Sequence, residues 1–250
     1  VGVCRLIGAV AAIGALAAAP PLLAQPPSPP PRTAAQTGAD ALVRLLYPPE
    51  MVDLQVPIAR RAFLAGIASD AEMQKLSATY PGLVDAMWAA VAPALRADFA
   101  LKQPRLWAQL AALYAARLTP AEIEGLRSFY AGATGQKLLR TMFGAVDAGP
   151  MIRDVLNRPD GQVSGESAAR VVADAKAKTL ASIPASLTAE DKAAYARLAK
   201  TVTAAKAEEI SREAQKLILD WVNEPDPAQE ARIQKIVVAV GTRYIAAHKR

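Results

Sequence analysis

The chain of 250 residues has one cysteine, one histidine and only 5% aromatics. The cysteine, Cys4, falls in a segment expected to be removed, so neither a disulfide framework nor a thiol nucleophile is expected afterwards. A lone His248 cannot build a histidine-rich metal site, and no Cys/His spacing suited to a metal is present. A nucleophile elbow, a phosphate-binding loop and a dinucleotide glycine pattern are all missing. No segment alternates with period two for long enough to argue a strand. The net charge of +6 is spread along the chain, so no basic stripe points to nucleic acid. The expectation is therefore a protein without cofactor, metal or motif-level enzymatic machinery.

Alanine dominates what is there, with 56 residues. It is the best helix former and loses no side-chain entropy, so the composition predicts an all-α fold. The first 24 residues carry a single charge, Arg5, then an apolar run from Leu6 and small residues around Pro20-Pro21. This reads as an export signal cleaved after Ala24, leaving 226 residues with net charge +5. The alternative is an uncleaved anchor, because the run approaches the length of a span; Pro20-Pro21 interrupts it. The expected location is the periplasm or the exterior.

Residues 25–38 open on Gln25-Pro26-Pro27-Ser28-Pro29-Pro30-Pro31-Arg32 and read as a stiff, proline-rich disordered linker. Helical periodicity then predicts one helical region over 39–156 and a C-terminal helical region over 157–250 packed on it. Together they would form a bundle with a longer C-terminal helical hairpin, about nine helices in all. Pro57 is expected to open a short helix. Ser69 and Glu72 read as a capping box. Pro93 is expected to kink or break its helix, and Gln103-Pro104 to start the next. Thr119-Pro120-Ala121-Glu122 is the strongest start signal, with an N-cap Thr, Pro at the first position and Glu at the third. Gly132 and Gly135 are expected to turn the chain through positive φ. A helix capped by Thr188 is expected to run to Asn223, with a seam of Tyr195, Leu198, Val202, Ile210, Leu217 and Trp221.

The carboxylate pairs Glu122/Glu124, Glu190/Asp191 and Glu208/Glu209 are the only acid–base candidates. The first two sit in first helical turns, where a negative charge is expected to cap the helix; the third reads as a solvated face. His248 reads as a favourable charge at a helix C-terminus. Arg127, Lys137 and Arg140 gather around residues 118–143, as surface charge or as an anion or headgroup contact. Phe129-Tyr130 reads as core packing, with binding as the alternative.

The stretch from Leu118-Thr119-Pro120-Ala121-Glu122 through Ser128-Phe129-Tyr130-Ala131-Gly132-Ala133-Thr134-Gly135-Gln136-Lys137 resembles domain-of-unknown-function family 2059. Phe129, Tyr130, Gly135 and Lys137 fit its pattern; Gly132-Ala133-Thr134 replaces the usual Ser-Pro or Thr-Pro of its turn. The resemblance extends over about residues 70–150 and implies export and a helical fold, without an established activity. A fainter echo lies inside the chain: Leu187-Thr188-Ala189-Glu190-Asp191 repeats Leu118-Thr119-Pro120-Ala121-Glu122 at an offset of 69.

The expected function is that of a non-enzymatic protein of the bacterial cell envelope acting through partner binding. Candidate contact residues are Phe129, Tyr130, Lys137, Arg140, Trp88 and Trp107. The alternatives are an apolar ligand or lipid held between helices, with Trp88, Trp107 and Phe129 as lining, and a carboxylate-dependent hydrolase. No nucleic-acid partner is expected; contact with a membrane surface stays open.

Overall fold

A computed structural model describes residues 34–158, 162–186, 188–202 and 204–249. The expected signal segment with Cys4, and the prolines up to Pro31, lie outside the described residues. The described residues form eleven helices and no strand, so the fold is all-α. None of these helices is long and apolar enough to cross a membrane.

In chain order the helices are α1 (Ala34–Leu46), α2 (Met51–Ser69), α3 (Ala71–Thr79), α4 (Leu83–Arg117), α5 (Pro120–Ala131) and α6 (Ala133–Ala145). There follow α7 (Gly149–Asn157), α8 (Gly165–Ser186), α9 (Ala189–Thr201), α10 (Ala204–Val222) and α11 (Pro227–His248). α1 thus begins inside the stretch read as a linker. α2 begins ahead of Pro57, which lies on its exposed side.

Helix α4 is the axis of the molecule: α1, α2, α10 and α11 all pack along it. It runs unbroken for 35 residues through Pro93 and Pro104, about 52 Å at 1.5 Å per residue. The expected break at Pro93 and new start at Pro104 do not occur. Each proline removes one backbone donor and frees the carbonyl four residues back. Pro93, Pro104 and the residues behind them, Ala89 and Ala100, are all exposed, so water takes those carbonyls. Eleven residues make three turns, which puts both prolines on one solvent-facing stripe. The opposite stripe, from Leu83, Met87, Val91 and Leu95 to Leu106, Leu110 and Tyr114, stays buried.

That buried stripe serves two cores. Its N-terminal half packs with Phe63 and Ile67 of α2, Ile152 of α7, and Ile233 and Val237 of α11. Its C-terminal half packs with Leu42 and Val43 of α1, Ile123 of α5, and Ile210 and Trp221 of α10. Where α11 starts against α4, polar groups are buried. Lys102, 3% exposed, pairs with Asp226 and donates to Gln229 Oε1 at 3.0 Å. One turn earlier Asp98 pairs with Arg232. Burial lowers the Lys102 pKa, against the opposing pull of Asp226 and Asp98.

Local chemistry departs from expectation at three further points. Asp70, not Ser69, caps α3: its Oδ1 accepts from the amides of Glu72 and Met73, both at 3.0 Å. Ser69 instead donates to the Gly66 carbonyl. The glycine with positive φ is Gly82, at 89°, which turns the chain into α4. Gly132 has φ −77°, an ordinary extended conformation. Gly135 is required for space: a Cβ there would stand 2.5 Å from Tyr130 Cα and closer still to the Phe129 carbonyl oxygen. The helix expected from Thr188 to Asn223 is divided into α9 and α10. Tyr195, placed on its buried seam by periodicity, is 47% exposed.

Two stability predictions follow from this packing. Gly135→Ala forces α5 and α6 apart and is expected to cost about 3 kcal/mol, the upper end for an overpacked site. Gly144→Ala meets nothing within 4 Å and is expected to stabilise by about 0.5–1 kcal/mol. Lys102→Ala strands Asp226 in the interior and is expected to cost about 3–5 kcal/mol. Urea unfolding midpoints check all three; equal midpoints for the two glycine variants would contradict the close-approach account.

Candidate functional site in the family-like hairpin

The segment singled out by sequence forms the α5–α6 helical hairpin. Thr119 caps α5, and its Oγ1 accepts from the Glu122 amide at 3.3 Å. In return Glu122 Oε2 accepts from the Thr119 amide at 2.7 Å. Thr188 and Asp191 build the same box at the start of α9, at 3.1 and 3.0 Å. The faint sequence echo therefore has a structural counterpart.

Each box carboxylate is also bound from outside its own helix. Lys206 of α10 donates to both oxygens of Glu122 at 2.7 Å. Thr134 of α6 donates to Asp191 Oδ1 at 2.6 Å, and Lys137 lies 3.4 Å from Oδ2. The Lys206 hydrogen bonds, followed by the Thr119 amide, hold the Glu122 pKa down at about 2. The Thr134 hydroxyl, then the Thr188 amide, hold Asp191 at about 2. Both are permanently ionised caps. General acid catalysis needs the opposite shift.

The other carboxylates behave similarly. Glu124 binds Arg127 at 2.8 Å and accepts from Ser128 at 3.0 Å. Glu208 and Glu209 pair with Lys176 and Arg117 at 3.5 and 4.0 Å. Glu190 is exposed on the first turn of α9. The described residues hold no group of three or more His, Cys, Asp or Glu placed for a metal.

The candidate contact residues do not converge on one spot. Trp88 packs on Phe63 at 5.6 Å beside the first core. Trp107 belongs to the second core, where its Nε1 donates to the Tyr47 carbonyl at 2.8 Å and Arg44 covers its ring at 4.4 Å. A shared lining of Trp88, Trp107 and Phe129 does not assemble, because α4 carries the two indoles into different cores. Arg127 and Lys137 are engaged by Glu124 and Asp191, so the basic trio with Arg140 forms no anion cradle. Arg140 is exposed.

Phe129 and Tyr130 do stay together, edge to face at 5.2 Å, and both are half-buried. Tyr130 leans on the second core, where Tyr114 and Tyr47 share a hydrogen bond. Burial raises the pKa of all three phenols. Periodicity pointed to Phe129 and Tyr130. The residues it missed are Lys206 and Thr134, because their role is a contact between distant helices.

The lowered carboxylates set a pH dependence. A group with a folded pKa below its unfolded value stabilises fully above the unfolded pKa and loses that contribution as pH falls through the folded one. For Glu122 and Asp191 the window runs from the ordinary 4.5 and 3.8 down to about 2. Glu122→Gln and Asp191→Asn are each expected to flatten the loss of thermal stability across that range, read from melting temperatures. An unchanged acid limb in both variants would contradict the clasps.

No curated protein and no solved structure matches the chain. A family model does match, over residues 104–152, a narrower span than about 70–150. It covers the second half of α4, all of α5 and α6, and the start of α7. Over that segment the chain resembles domain-of-unknown-function family 2059, described as an uncharacterized protein conserved in bacteria.

Proposed function

We propose that this chain is an exported helical protein of the bacterial cell envelope that acts by binding a protein partner through the α5–α6 hairpin, and not by catalysis. One observation carries the reading. The acidic residues that could serve chemistry are engaged in caps and ion pairs, whereas the Phe129–Tyr130 pair keeps half of its surface in water. Large, stiff aromatic side chains give much contact area for little lost entropy, which is why they anchor interfaces. Exposed Arg140 in the returning helix would add a charged rim. Export rests on the pattern of Val1–Ala24 and on the family resemblance.

Two measurements test this. Replacing Phe129 with photoreactive benzoylphenylalanine in living cells is expected to yield a discrete adduct. The same probe at Val238, 58% exposed on α11, is expected to yield none. Adducts that are absent at 129, or the same from both positions, would sink the binding site. Sequencing the N-terminus of the periplasmic protein is expected to read from Gln25; recovery only in the cytoplasm would refute export.

A further inference from the structure

The two capping boxes are not merely alike; they are cross-connected. At the offset of 69 residues, Thr119 corresponds to Thr188, Glu122 to Asp191 and Lys137 to Lys206. Lys206 binds Glu122, while Lys137 binds Asp191. Each lysine therefore reaches the carboxylate of the other repeat. Residue i meeting j while j meets i is the mark of a self-complementary contact, as found across a two-fold axis between identical chains. Here it lies within one chain.

α9 is weakly committed to this place. It packs on α5 and α6, yet none of its described side chains is buried. The helices on either side of it are anchored: α8 buries Val171 and Ala175, and α10 buries Ile210 and Trp221. Elements with few buried apolar contacts open at low free energy while their neighbours stay folded.

We propose that the face of the α5–α6 hairpin beneath α9 is a self-association surface, and that α9 is an internal plug occupying it. The partner that replaces α9 is α5 of a second copy of this chain. α5 opens with the same box and presents Glu122 where α9 presents Asp191. It carries Leu126 and Phe129 where α9 carries Tyr195 and Leu198, so the replacement brings at least as much apolar surface. Lys137 and Thr134 then receive the box carboxylate of the other copy. This names one partner for the hairpin and rests on the partner-binding reading above.

Asp191→Lys in the full-length chain tests it by setting like charges at Lys137. Wild type is expected to sediment as a monomer over a wide concentration range. Asp191→Lys is expected to form a concentration-dependent dimer, with amides 189–201 exchanging at least about tenfold faster and α4 unchanged. Lys137→Asp added to Asp191→Lys reverses the pair and is expected to restore the slow-exchanging monomer. Glu122→Lys added to Asp191→Lys removes the incoming carboxylate and is expected to abolish the dimer. A wild-type dimer overturns the plug, as does an Asp191→Lys variant that remains monomeric, whether or not α9 opens. A dimer that survives Glu122→Lys overturns the assigned contact. Purified protein alone decides these outcomes. A discrete adduct with a different protein at Phe129 would uphold partner binding even if self-association failed.

Discussion

Pro93 and Pro104 each place a missing donor in the middle of a helix, and such a residue costs about 3 kcal/mol in a helix interior. α4 remains continuous because both prolines, and the carbonyls they free, lie on its wet side. The dry side is then available over its whole length, and the other helices find their places on it. α2 and α11 cover one half, while α1, α5 and α10 close over the other. A true break at Pro93 or Pro104 would let the two cores turn independently.

The polar layer around Lys102 has a different character from the cores on either side. A buried ion pair returns little net stability, because desolvation offsets most of the attraction. It is, however, sensitive to alignment. A shift of α11 by one turn along α4 would leave Lys102, Asp98 and Gln229 buried without their present partners. The apolar contacts of Val91 or Ile233 tolerate sliding far better, since dispersion has no direction. The register of the C-terminal helix is thus set by the charges, and its holding force by the cores.

The hairpin combines both kinds of contact on a smaller scale. Gly135 brings two backbones close enough that a methyl group does not fit, and Phe129 and Tyr130 sit over that junction. Around it, cap carboxylates serve as ion-pair partners for lysines from distant segments. A capping residue in the first turn already faces outward with a fixed orientation. This makes it a convenient attachment point for another helix, and the chain uses it twice.

Much of the architecture was legible in the sequence. Alanine content, the Thr119 and Thr188 boxes and the spacing of Leu83 to Leu95 determine helices and their buried faces, because caps and periodicity act within a few residues. The family pattern likewise pointed to the hairpin. Tertiary structure decided what depends on distance in space. It carried α4 through its prolines by turning them to water, and assigned Gly135 to close approach instead of positive φ. It separated Trp88 from Trp107 and left Tyr195 exposed. It also joined Lys206 to Glu122 and Lys137 to Asp191. A single helix cannot specify which lysine reaches its cap, since that choice is made only when segments far apart in the chain are packed side by side.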